Sequence, residues 1–127
     1  MAGYRAPLAD IQFLLGDVFK ADELFASMEG TEEVSADLIS AILEEAGKIA
    51  EGLLAPLNQS GDETGCTWEA GKVTTPDGFK EAFRAYAEGG WAGLAGDVNY
   101  GGQGMPKLLS ARSCSPAVMN IFVPLTA

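Results

Sequence analysis

The chain has 127 residues, a hydrophobic fraction of 47% and a formal net charge of −10. That length suffices for one domain with a real core, and the apolar fraction excludes disorder as the main state. The acidic balance argues against nucleic acid or an anionic membrane surface as partner, because both call for a basic face.

Residues 1–30 read as a short amino-terminal arm. Behind Pro7, the apolar residues Leu8, Ile11, Leu14, Leu15 and Val18 recur at helical spacing, although Gly16 weakens the pattern. A second short helix is expected over residues 22–28, closed by Gly30. Residues 35–54 predict the strongest helix. Ser35 suits an N-cap and Asp37 the positive end of the dipole. Leu38, Ile39, Ile42, Leu43, Ala46, Ile49, Ala50, Leu53 and Leu54 share one broad face. Pro56 marks the expected stop. Asp22, Glu23, Glu29, Glu32, Glu33, Asp37, Glu44 and Glu45 succeed one another with no Lys or Arg between them. This run reads as a solvated face.

Residues 55–74 predict a long connection rich in turn formers, in which 66–68 and 72–74 make a small extended pair. Thr75-Pro76 then opens a helix, with Thr75 as N-cap and Pro76 at the first helical position. Phe79, Ala82, Phe83 and Tyr86 form its buried stripe, and Gly89 ends it in the left-handed conformation. Trp91 and Leu94 lead into the loop Tyr-Gly-Gly-Gln-Gly at 100–104. Trp91 and Tyr100 are expected to anchor the core around that turn. A last helix starts at Pro106 and is broken by Pro116, and Pro124 interrupts the remaining carboxy-terminal residues.

Histidine is absent from the sequence, so catalytic triads of the histidine type are excluded. Cys66 and Cys114 lack further ligands at zinc-site spacing, and two cysteines suit a reducing compartment. No stretch is long and apolar enough to span a bilayer, and the amino terminus does not read as a signal peptide. A cytoplasmic location is expected. Glu44 and Glu45 are adjacent on a helix and point apart. The loop at 100–104 is neither GxGxxG nor a Walker A loop, since the Lys-Ser/Thr of the latter is missing. A structural turn is favoured over a phosphate cradle, with each glycine supplying a positive φ or a close approach. The residues alone thus define an acidic, mostly helical domain and no reaction.

Longer stretches carry more. YRAPLADIQFLL near the start, APLNQSGDETG, VTTPDGFKEAF and EGGWAGLAGDVNYGGQGMPKLLSA, in that order, resemble the opening helical domain of the large subgroup of acyl-CoA dehydrogenases. The resemblance covers about residues 4–111. It implies an all-α fold, an incomplete amino-terminal helical domain with a short extension (1–30), the domain proper (31–127) and a long loop between the main helices. Members of this family are FAD enzymes that dehydrogenate acyl-CoA thioesters across the α,β carbons and pass electrons to an electron-transferring flavoprotein. They are commonly homo-oligomers.

By the resemblance, the catalytic glutamate and most of the flavin site lie beyond this region. None of Glu69, Glu81 or Glu88 matches the base, so this chain alone is expected to bind no FAD and turn over nothing. The glycine loop is expected to join two helices beside the acyl cavity, with Tyr100, Gly101, Gly102 and Gln103 as cavity residues. Met119, Asn120 and Phe122 join them from the next segment, where RSCSPAVMNIFVPLTA departs from the family pattern through Pro116 and Pro124. The alternative reading is a free-standing helical interaction module that uses Trp91, Tyr100 and the apolar stripes against a partner.

Overall fold

A computed structural model describes residues 3–113. The order is α1 (Leu8–Phe13) with a π-helical turn (Leu14–Val18), α2 (Ala21–Ala26), and α3 (Ala36–Ile49). A second π-helical turn (Ala50–Leu54) carries α3 into α4 (Ala55–Thr64). The hairpin β1 (Thr67–Glu69) and β2 (Lys72–Thr74), α5 (Phe79–Glu88), two 3-10 turns (Trp91–Gly93 and Val98–Tyr100) and α6 (Lys107–Ser113) complete it. The protein is mostly helical, as the resemblance implies.

The long helix starts where its cap predicts. The Ser35 Oγ accepts a hydrogen bond from the Leu38 N–H at 3.3 Å, which satisfies one of the free amides of the first turn. The expected face is buried at Ile39, Leu43, Ala50 and Leu54, spaced at whole helical turns of one or two.

The expected stop at Pro56 does not occur. Residues 55–64 are helical rather than a connection, with Pro56 in the first turn of α4. Proline lacks an N–H and its ring collides with the carbonyl four residues back, here Gly52. The π-helical turn at Ala50–Leu54 widens the ladder just ahead of the ring and relieves that collision. The long loop between the main helices shrinks accordingly. Its second half is the expected extended pair, with Thr67 opposite Thr74, Trp68 opposite Val73 and Glu69 opposite Lys72.

Two further expectations shift by a few residues. Gly78, at φ 85°, takes the N-cap position of α5 instead of Thr75. Gly89 remains right-handed at φ −70°, and Gly90 makes the left-handed step at φ 77°. On α5 the stripe narrows. Phe79 and Ala82 are buried, while Phe83 is 51% exposed.

The core has two parts. Leu15, Ala21, Phe25, Val34, Ile39, Leu43 and Leu109 form the larger one, which joins the amino-terminal helices and α6 to α3. The arm is tied down further by the Ala6 N–H, which donates to the Glu51 Oε1 at 2.7 Å. Leu54, Phe79 and Ala82 form a smaller cluster between the α3–α4 rod and α5. Gly61 admits the Phe79 ring there, since a Cβ would lie 2.4 Å from it.

Candidate functional site

The segment 89–106 folds back on itself and is fastened by its own backbone. The Gly102 N–H donates to the Asp97 carbonyl at 3.0 Å, and those of Gln103, Gly104 and Met105 donate to Gly93, Gly96 and Leu94, each at 2.9 Å. The Tyr100 and Gly101 amides go to Asp97 and Val98 at 3.0 and 3.3 Å. Every amide from 100 to 105 is therefore spent on a carbonyl of the same loop. An anion cradle needs converging free amides, and those of residues 100–105 are all taken.

The side chains reinforce the same turn. The Asp97 Oδ1 accepts from the Asn99 N–H at 2.8 Å and the Asn99 side-chain amide at 2.9 Å. The Gln103 Nε2 donates to the Gly90 carbonyl at 2.9 Å. Gly102 and Gly96 lie against each other, and a Cβ on Gly102 would sit 2.2 Å from the Gly96 carbonyl. The glycines thus serve close approach, as well as positive φ at Gly101 (84°) and Gly104 (67°).

Between this loop and α3 lies a cleft of about 240 Å³, lined by Ala41, Ile42, Glu45, Gly89, Trp91, Leu94 and Gln103. Its floor is apolar. Both polar groups are engaged, Gln103 with Gly90 and Glu45 with Lys48 on α3. The hydrogen bond and the charge of Glu45 raise the Lys48 ammonium above its ordinary pKa, against desolvation and with help from the charge of Glu44. The cleft offers a place for a small apolar group and no nucleophile. A second depression, about 300 Å³, runs between the end of α4, the hairpin and the turn before α5. Ser60, Thr64, Thr67, Thr74, Thr75 and Asp77 line it.

Of the residues expected beside a cavity, Gln103 lines the cleft. Tyr100 stands 91% exposed at the tip of the loop, so it does not anchor the core there. The 3-10 turn capped by Asp97 holds it outward. Gly101 is exposed and Gly102 half-buried. Met119, Asn120 and Phe122 lie outside the described residues. Trp91 is half-buried, close to its expected anchoring role. Ile42 was signalled by the stripe of α3, whereas Glu45 had only the pattern of a solvated face.

Neither depression fits a flavin dinucleotide. Both are at or below the small end of ligand pockets, and the glycine loop has no free amides for a pyrophosphate. Among the described residues, no group of three Cys, Asp or Glu side chains converges as a metal site, and no helix is long and apolar enough to cross a membrane.

No protein-family model matches the chain. It is 33% identical over 108 residues to 3-methylmercaptopropionyl-CoA dehydrogenase of Ruegeria pomeroyi, covering 85% of this chain and 18% of that protein. It is 30% identical over 109 residues to the broad-specificity linear acyl-CoA dehydrogenase FadE5 of Mycobacterium tuberculosis, covering 84% of this chain and 18% of that protein. The matched stretch thus spans less than a fifth of either relative. In sequence and in its helical fold, the chain is thus similar to the amino-terminal portion of acyl-CoA dehydrogenases.

Proposed function

We propose that this chain is the amino-terminal helical part of an FAD-dependent enzyme that dehydrogenates acyl-CoA thioesters across their α,β carbons. The observation that carries the reading is the match to two acyl-CoA dehydrogenases over about 85% of the chain. On this reading, the catalytic base and most of the flavin site belong to the rest of such an enzyme. The contribution of this region is shape. The self-fastened loop holds Tyr100, Gly101, Gly102 and Gln103 in fixed places, and with Met119, Asn120 and Phe122 they form part of the wall around the acyl chain. Acyl-CoA is the substrate, an electron-transferring flavoprotein the electron acceptor, a homo-oligomer the working form and the cytoplasm its location.

The test is an exchange. The aligned stretch of the Ruegeria pomeroyi enzyme is replaced by the corresponding residues of this chain. The chimera is expected to retain FAD and to reduce a dye in an acyl-CoA-dependent manner. A soluble, flavin-loaded chimera without acyl-CoA-dependent reduction would sink the reading. The isolated chain, mixed with excess FAD and freed of the unbound part, is expected to stay colourless and inactive. A yellow chain that turns over acyl-CoA would show that the flavin site is far more local.

The exposure of Val98 (65%) and Tyr100 (91%) favours one other reading, a free-standing helical interaction module. A rigid exposed aromatic is a common interface anchor. An open reading frame that ends after Ala127, giving a soluble and monodisperse product, would support the module. A frame that continues into a β-domain would support the enzyme.

A further inference from the structure

The hairpin is built inside out. Cross-strand partners share a face, and faces alternate along a strand. Thr67 and Thr74 form one pair and Trp68 and Val73 the next. The two threonines, themselves exposed, line the hydroxyl-rich depression beside α4, so the polar face of the hairpin is the one nearer its own molecule. The Trp68 and Val73 pair lies on the other face, where Trp68 is 72% and Val73 61% exposed. An isolated two-stranded sheet is marginal in water unless an apolar face is covered. Here the only face that burial would reward points outward.

We infer that this Trp68–Val73 face is a docking surface for the rest of a polypeptide of the relatives' length, resting on the family correspondence proposed above. Magnitude decides between this occupant and a second copy. Two such faces pressed together would bury on the order of 500 Å² in all, against roughly 1,200 Å² for a stable interface between separate molecules. Two copies that each carry a net charge of −10 also repel. A tethered domain meets neither obstacle, because its docking is intramolecular and a small patch suffices. The relatives supply such a domain. The matched stretch is 18% of their length, so most of each relative lies outside it. The docking surface on that part is an apolar pocket wide enough for an indole, with no charge at its centre.

The experiment compares the isolated 127-residue chain with the chimera, each as wild type and as the double variant Trp68→Ser/Val73→Ser. Hydroxyl-radical footprinting read by mass spectrometry on the Trp68 peptide is expected to show free oxidation in the isolated chain and at least about three-fold protection in the chimera. The double variant is expected to leave the Tm of the isolated chain within about 2 °C and to lower that of the chimera by about 5 °C or more. Equal oxidation of Trp68 in both proteins would overturn the inference. So would a loss of Tm in the isolated double variant, which would mean that the chain covers the face itself. Sedimentation of the isolated chain as a dimer that the variant dissolves would assign the face to a second copy instead. These last two results need no chimera. A chimera protected at Trp68 but inactive toward acyl-CoA would count against the proposed activity and leave the docking surface in place.

Discussion

At the scale of single residues, the glycine loop is tightly constrained. Gly102 has no room for a side chain, because the obstructing atoms belong to the Gly96 backbone and cannot swing aside. Gly102→Ala is expected to lower stability by about 2–3 kcal/mol, read by urea denaturation. Tyr100, two residues earlier, is its opposite: it is almost wholly solvated, so truncation to alanine should leave the stability of the chain unaltered within about 0.5 kcal/mol. Lys48 gives a titration test. Its pKa is raised by Glu45, so the pair favours the folded state at pH values below the ordinary lysine range. That contribution fades as pH rises through the raised value. In Glu45→Gln, the Lys48 titration tracked by NMR should return toward the ordinary lysine pKa. A titration that stays put would mean the pair does not persist in solution.

At the scale of elements, the informative features are the places where helix and turn depart from the ideal. The hairpin turn has Ala70 at φ 49° and Gly71 at φ 80°. Positive φ at both central residues is what a type I′ turn requires, and an alanine there carries a steric penalty that asparagine largely avoids. Ala70→Asn is expected to stabilise the chain by about 0.5–1 kcal/mol, seen as a raised midpoint in urea. The π-helical turn ahead of Pro56 offers the complementary lesson. A proline normally ends a helix, and the sequence pattern treats it so. Here the wide turn at Ala50–Leu54 absorbs the clash, and α4 runs on for Ala55–Thr64.

At the scale of the whole molecule, the two core clusters are unequal. Among the described residues, the larger one gathers buried side chains from the turn after α1, from α2, α3 and α6, whereas the smaller holds Leu54, Phe79 and Ala82. The part comprising α4, the hairpin and α5 is therefore expected to open locally at lower free energy. Native-state hydrogen exchange should show weaker protection at 57–64 and 80–88 than at 39–47. Equal protection in both would mean that the clusters act as one cooperative unit. The docking surface on the hairpin falls in the same weakly supported part, which is where added contacts from a further domain would stabilise most.

The long helix, its cap at Ser35, the extended pair and the start of α6 were all legible in the sequence. Each depends on local rules: side-chain capping, 3.6-residue periodicity, turn formers and a helix-initial proline. The order of the motifs also carried the family resemblance. Three features were decided by tertiary structure. Pro56 was tolerated because the ladder could widen at a turn packed through Ala50 and Leu54. Tyr100 faced solvent because the backbone of its loop, rather than its aromatic ring, holds the loop together. The cleft set Glu45 of α3 on the same lining as Trp91 and Gln103, residues that lie far apart along the chain and share a site only where packing places them. Local chemistry writes the elements, but which faces meet is settled by contacts between distant segments, and those leave no periodic trace in the sequence.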